Sequence, residues 1–555
     1  MPDKRYDAIV VGSGLAGSYA AKELTQAGLE VLLIEAGPYI SEADFKDTGA
    51  KPHTPAIELM PRLQAALRGQ YIQARYWMYD PLKAKLYVND RQNPYTTPRG
   101  KYYIWMRGKQ LGGRMHTYGR VLLRFSDFDF KAAGRDGFGE DWPISYADME
   151  PYYTKVEEFI GVYGMKENLP QIPDGIYPMK PQFTPMEQVF KAKIEARWPE
   201  RRVTGHRVES PNLKRTPQAV LAALDTGKLD VKTETIAKRV TIDPDTGKAN
   251  GVECVDCKTH QTVSFSSSIV LLCGSTIESV RVMFNSACSR HPSGLGNSTG
   301  NLGHYFMDQT CAMIYGSVPG SKGMANPDTT ILQDPLAPRA GGVYIPRYVN
   351  LNGVSNPDFK RGYAFQGTVG GVYSPPDRPA KFGFMSVGEM LPYYDNTVTV
   401  NPHKKDAWGI PVPHINCTYR QNELAMMKEQ IKALREMVET CGYDIEILGS
   451  PFGLEKGSNP FPEDNFFAKL AFRIAFKKSV NSGSAIHEVG GARMGTDPGK
   501  SVLNPYNQCW DVNNLFVTDG ASFVTNGMAG PALSVMAVTA RACEYMVKEY
   551  KAGRL

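Results

Sequence analysis

The chain of 555 residues is 42% hydrophobic and 22% charged, with a net charge of +6. That is the composition of an ordinary globular protein, with room for several domains by length alone, and no basic run is long enough to track a nucleic acid. Nine cysteines at irregular spacing argue for a reducing compartment rather than a disulfide framework.

Predicted elements begin almost at once. Residues 7–11 are a short continuous apolar run, the pattern of a buried parallel strand. Gly12-Ser13-Gly14-Leu15-Ala16-Gly17 follows directly, residues 18–27 read as a helix, and a second strand over 30–34 ends at Glu35. This is the dinucleotide fingerprint in its required context. The glycines permit a tight turn and close backbone approach to a pyrophosphate at the helix N-terminus, and the acid holds the ribose. A strand this near Met1 leaves no room for a signal peptide, and no apolar run approaches the roughly 20 residues of a membrane span. The chain reads as cytoplasmic, with export beside a signal-bearing partner subunit left open.

Residues 38–106 form a long polar and aromatic stretch, rich in tyrosine and basic residues over 71–85. Stretches of this length are usually lids or functional insertions, and this one is expected to cover the cofactor and the substrate entrance. The run Arg107-Gly108-Lys109-Gln110-Leu111-Gly112-Gly113-Arg114 comes next. Three strand candidates over 231–272 are joined by polar turns, and the last leads through Gly274-Ser275-Thr276 into a helix ending near Asn285. Cys254 and Cys257 have the spacing of a metal pair but no second pair; their alternating context predicts a structural strand and no metal site. From 310 to 480, glycines, prolines, aromatics and strand-like runs point to an antiparallel sheet covered by helices, one of them amphipathic over 422–439. The aromatic and basic stretch 461–478 reads as a core-facing helix with a solvated face, docking to a partner subunit or a membrane surface being the alternative.

The C-terminal part carries the chemistry. His487 is followed by Gly490-Gly491 and Ala492-Arg493-Met494-Gly495. A strand over 515–518 stops at Asp519-Gly520, and after Gly530-Pro531 an Ala-rich helix runs to about residue 546. Proline suits a helix start, and the positive end of that helix, near Pro531, can stabilise an anion or a reduced flavin.

The fingerprint, the His487 run and Asp519-Gly520 together resemble the glucose–methanol–choline (GMC) flavoprotein oxidoreductases, and most of all the bacterial glucoside 3-dehydrogenase and pyranose oxidase-like branch. The resemblance spans nearly the whole chain and implies FAD, with an alcohol oxidised by hydride transfer to the flavin. It implies a fold of α/β and α+β parts: a discontinuous Rossmann-like FAD-binding domain from 1–150, 215–309 and 485–555, and a substrate-binding domain from 151–214 and 310–484. In this comparison His487 is the general base, since neutral imidazole titrates in the useful range. Gly12, Gly14, Gly17, Glu35, Arg107, Gly112, Gly113, Arg114, Gly274, Asp519, Gly520, Gly530 and Pro531 would meet the FAD. Some relatives link FAD to a histidine in the segment after Gly112, but at the position occupied here by Thr117. His116 is one residue early, so non-covalent FAD is expected. The family normally places His or Asn where this chain has Gly530. Three explanations stay open: His487 acts alone with a water, another residue such as Asn526 supplies the bond, or glycine makes room for a bulkier substrate. Arg493 is expected to hold its turn by an ion pair. The substrate implied is a sugar or glycoside, the product a keto-sugar; an aminoglycoside, an aromatic or aliphatic alcohol, or a non-redox lyase reaction is the alternative. Oxygen, a quinone or a cytochrome would take the electrons, and a small accessory subunit is compatible with this reading.

Overall fold

The computed structural model describes residues 4–41, 59–178, 180, 183–209, 216–324, 342–351, 353–372, 374–458 and 466–555. Two seven-stranded sheets organise it. The first starts with β1 (Arg5–Val11) and β2 (Val31–Ile34), joined by α1 (Leu15–Gln26). The helix begins three residues earlier than the sequence predicted, because the glycine turn is tighter than the polar Ser18 suggested. Helix α2 (Leu59–Leu67) follows, and the chain returns to this sheet as β3 (Leu229–Lys232), β4 (Thr235–Ile242), β5 (Ala249–Asp256) and β6 (Thr262–Leu272). Cys254 is buried within β5. Strands β3, β2, β1 and β6 lie side by side in parallel, and β4–β5–β6 form an antiparallel meander. Helix α3 (Thr276–Asn285) leaves the C-terminal end of β6.

The second sheet contains β7 (Thr310–Ser317), β8 (Val343–Ile345), β9 (Tyr363–Val372) and β10 (Lys381–Gly388). Helix α4 (Gln421–Cys441), close to its predicted span, precedes β11 (Asp444–Ser450). The order is β11-β7-β10-β9-β8, all antiparallel, with short strands at both edges. Alternation sorts its two faces. Phe365, Phe382, Ile314 and Val343 pack into the core beneath α4, whereas Gln366, Met385, Met313 and Tyr344 look the other way, onto a cavity.

Helix α5 (Phe466–Ser479) precedes the return to the first sheet, where β12 (Leu515–Val517) pairs in parallel with the end of β6. Helix α6 (Ala532–Lys551) closes the chain and packs on α1. Pro531, predicted as the first helical residue, is its N-cap, so the helix starts one position later. The C-terminal ends of β1, β6 and β12, where an open parallel sheet receives its ligand, thus face the same space as the free side of the second sheet. No helix among the described residues is long and apolar enough to cross a membrane.

Candidate active site

One cavity of about 1290 Å³ is walled by both sheets. At its first end the three fingerprint glycines do three different things. Gly12 sits at φ +96°, and a Cβ on Gly17 would lie 1.7 Å from the Gly12 carbonyl oxygen, so these two close the turn and press α1 to β1. Gly14 has nothing within 4 Å of its Cβ position; it lines the cavity and leaves the α1 N-terminus open to an anion. Gly17 itself does not reach the wall and acts through packing. Glu35 is buried on the wall, where burial raises its pKa against the pull of its donors. Ser13 Oγ donates to Glu35 Oε2 at 2.5 Å and accepts from the Gly112 amide at 2.9 Å. That amide ties the second predicted segment to the first, while Gly112 stays off the wall.

Gly113 lines the cavity, its Cβ position facing only Gly14 Cα at 3.8 Å. Arg107 is on the wall too, but its guanidinium is committed: it stacks 4.0 Å over Trp105 and donates to the Asn93 carbonyl. Arg114 pairs with Glu488 at 2.7 Å and reaches Ser275 Oγ at 3.2 Å. His116 Nε2 lies 2.8 Å from the Leu111 carbonyl, which makes it the donor. Gly274 and Ser275 bring the α3 N-terminus to the cavity. Gly520 is there because a Cβ would meet Thr276 Oγ1 at 2.6 Å and the Glu488 carbonyl oxygen at 2.8 Å. Asp519 accepts from Ser279 Oγ at 2.5 Å and from the Ala521 amide at 2.9 Å, and burial lifts it to about 6. These open glycines and two helix N-termini fit a dinucleotide, and a flavin at its far end would meet Gly530, Pro531 and the start of α6.

His487 stands at that far end. Its segment is clamped to the chain before β7: Met307 and Val489 exchange two backbone hydrogen bonds at 2.9 Å. The Gly490 Cβ position lies 2.2 Å from the Tyr305 carbonyl oxygen, so only glycine permits this approach. Ile486, immediately before the histidine, is at φ +61°, a left-handed conformation that costs a branched residue energy. The His487 amide donates to Asp308 Oδ1 at 2.9 Å, and burial, then the neighbouring Glu488, raise Asp308 to about 7. His487 Nδ1 sits 2.5 Å from Gln309 Oε1, and Gln309 Nε2 donates to the Gly527 carbonyl at 2.8 Å. The amide orientation therefore makes Nδ1 the protonated nitrogen and leaves Nε2 with a lone pair. Nε2 faces Gly530, whose Cβ position is 3.3 Å away. Burial, then the charge of Arg114, hold the imidazole down at about 4, so it is neutral at pH 7.

Two expectations are corrected. Asn526 is buried off the cavity wall and donates to the Asp308 carbonyl at 2.7 Å; it does not stand in for the residue absent at 530. Arg493 donates to the Lys500 carbonyl and stacks 3.6 Å over Tyr305, holding its turn by carbonyl capping and ring contact rather than by an ion pair. Sequence reading missed Gln309, Asp308 and the cavity-facing row of the second sheet. That row, fixed by strand register, runs Tyr344, Gln366, Met385, Met313. Only the alternation of β9 and β10 could have pointed to it.

Residues 392–539 match a family model described as GMC oxidoreductase, and residues 10–49 one described as NAD(P)-binding Rossmann-like domain. Over 98% of this chain and 95% of the relative, the chain is 26% identical to 2-methyl-1,2-propanediol dehydrogenase of Mycolicibacterium austroafricanum. It is 23% identical to the fructose dehydrogenase large subunit of Gluconobacter japonicus, over 99% and 98%, and 23% identical to paromamine 6'-oxidase of Streptomyces fradiae, over 98% and 91%. A formate oxidase variant from Aspergillus oryzae RIB40 shares the fold across 100% of both chains, with a TM-score of 0.67 at 16% identity.

Fold, groove and relatives define an FAD-dependent oxidoreductase acting on CH–OH groups. Residues 392–539 carry the C-terminal domain of the glucose–methanol–choline oxidoreductases, and over nearly its whole length the chain is similar to dehydrogenases and oxidases named for alcohols and sugars.

Proposed function

We propose that the chain oxidises a hydroxyl of a sugar or glycoside to the carbonyl, with His487 Nε2 as the base. The observation that carries this is the fixed imidazole: Nδ1–H is held by Gln309 and the bare Nε2 looks into the cavity beside Gly530. The bound flavin supplies a hydride acceptor. The hydroxyl proton goes to His487 Nε2 and the C–H electron pair leaves as hydride, so the alcohol loses two electrons and two hydrogens. Asp308 and the Met307–Val489 bonds keep the ring in place. Gln110 Nε2, donating to the Gly113 carbonyl at 2.8 Å, helps fix the loop beside it.

The cavity floor supports a sugar-like substrate. Tyr344, Met385 and Met313 are apolar or aromatic and suit the C–H face of a ring. Gln366 stands among them on the wall, with no side-chain hydrogen bond among the described residues, and can meet a hydroxyl. Fructose dehydrogenase and paromamine oxidase among the relatives point the same way. FAD is taken as non-covalent, His116 Nε2 being engaged with its own loop. Oxygen, a quinone or a cytochrome completes the cycle, and the name of the fructose dehydrogenase relative, a large subunit, is consistent with an accessory subunit.

An anaerobic titration with a panel of sugars, glycosides and simple alcohols tests this. Bleaching of the flavin by a pyranoside, lost in His487→Ala by a factor of about 10² to 10⁴ in rate, is the expected result. Bleaching only by non-sugar alcohols would remove the substrate assignment. No bleaching by any alcohol, with FAD bound, would favour a non-redox reaction.

A further inference from the structure

Two helices turn apolar side chains outward. On α2, Met60, Leu63 and Leu67 are 63%, 50% and 67% exposed; on α5, Phe466, Leu470 and Ile474 are 70%, 45% and 58% exposed. Each set recurs at three or four residues and so marks one face of its helix. The opposite faces are anchored: Ala65 packs with Ala74 and Tyr79, and Phe472 and Phe476 pack with Cys311 and Met313. Both helices pack against the turn Gln73–Arg75, beside which Tyr71 and Met78 are also exposed. Outward apolar side chains gathered in one region mark an interaction surface rather than ordinary scatter.

Charge narrows the choice of partner. Neither 59–79 nor 466–479 contains an acidic residue, whereas Arg68, Arg75, Arg473, Lys477 and Lys478 are exposed. Two helices that carry apolar side chains and only basic charges on their own length match the headgroup layer of an anionic bilayer. The same face holds the cavity mouth, because Leu63, Tyr71, Met78 and Lys478 are both exposed and on the cavity wall.

We propose that this face docks the protein on an anionic lipid surface. The α2 and α5 side chains enter the boundary between headgroups and acyl chains, and the bases meet lipid phosphates. Docked this way, a reactant dissolved in the bilayer reaches the cavity without crossing water.

Flotation of the purified holoprotein with vesicles of phosphatidylcholine, or of phosphatidylcholine with phosphatidylglycerol, tests the proposal. The protein should float with the anionic vesicles alone, and added salt should release it. Arg473→Gln with Lys477→Gln should weaken partitioning about 30-fold, and Leu67→Glu with Ile474→Glu should abolish it. None of these four residues is on the cavity wall, so flavin content and melting temperature should stay unchanged in both variants, whatever the substrate proves to be. Absence of flotation by the wild-type protein at low salt overturns the proposal, as does flotation that survives both pairs of substitutions. Self-association that disappears in Leu67→Glu/Ile474→Glu, without vesicle binding, would assign the face to a second copy and overturn it equally.

Discussion

His487 Nδ1 donates to Gln309 Oε1 at 2.5 Å, and the same glutamine donates through Nε2 to the Gly527 carbonyl at 2.8 Å. One side chain thus sets both the tautomer of the imidazole and its distance from the loop that leads to Gly530. Replacing it by leucine should leave FAD bound and slow flavin reduction on the order of 10²-fold, the cost of a misplaced base. Gln309→Glu should behave differently. A carboxylate on Nδ1–H stabilises imidazolium, so the acid limb of the rate profile should move to higher pH. Stopped-flow reduction across pH separates the two; equal profiles for glutamine and glutamate would mean that the contact does not govern the base.

The pH dependence of the wild-type enzyme follows from the same site. As the proposed base, His487 would act only when neutral, and burial with Arg114 holds its pKa at about 4, below the ordinary 6.5. Flavin reduction should therefore be level through neutral pH and fall as pH drops through about 4, when the base becomes protonated. A fall centred near 6.5 in pre-steady-state reduction would show that the imidazole is not held this way.

Position 530 decides what stands beside the base. A Cβ there would lie 3.3 Å from His487 Nε2, close enough that Gly530→Asn must place an amide against the ring. The variant should retain flavin and change kcat or the accepted substrates by at least several-fold. Full activity on an unchanged substrate panel would place the reacting hydroxyl elsewhere.

Ser275 offers a test of strain. It caps α3 at φ +80° and ψ +150°, a region almost reserved for glycine and costing other residues about 1–3 kcal/mol. Ser275→Gly should raise stability by roughly 1 kcal/mol in chemical denaturation, while removing the 3.2 Å contact from Arg114 and slowing reduction modestly. A lower denaturation midpoint would show that the hydroxyl contact outweighs the relieved backbone.

The parts legible in the sequence were those whose logic is local. Gly12, Gly14 and Gly17 announce themselves because a strand, a turn and a helix follow within one stretch, and each glycine has its own steric reason. Gly490 likewise stood out in a pair and is required by the Tyr305 carbonyl. Gln309 carried no such signal. It reaches His487 across 178 residues of sequence, and nothing in Met307-Asp308-Gln309-Thr310 distinguishes it from any strand entrance. Arg493 shows the converse: a charged residue in a glycine-rich turn suggests an ion pair, but the neighbours that fold against it are a carbonyl and a tyrosine ring. Register, not composition, aligned Gln366 with Tyr344 and Met385.

The first sheet has one further consequence. Strand β12 completes it beside β6, and the N-cap of α6 shares a cavity with the glycines that follow β1. A ribosome delivers the wall that follows β1 long before the wall at α6. If both walls hold FAD as proposed, its full set of contacts forms only once α6 is in place. A chain cut before Leu515 should therefore emerge colourless however well its N-terminal fingerprint folds.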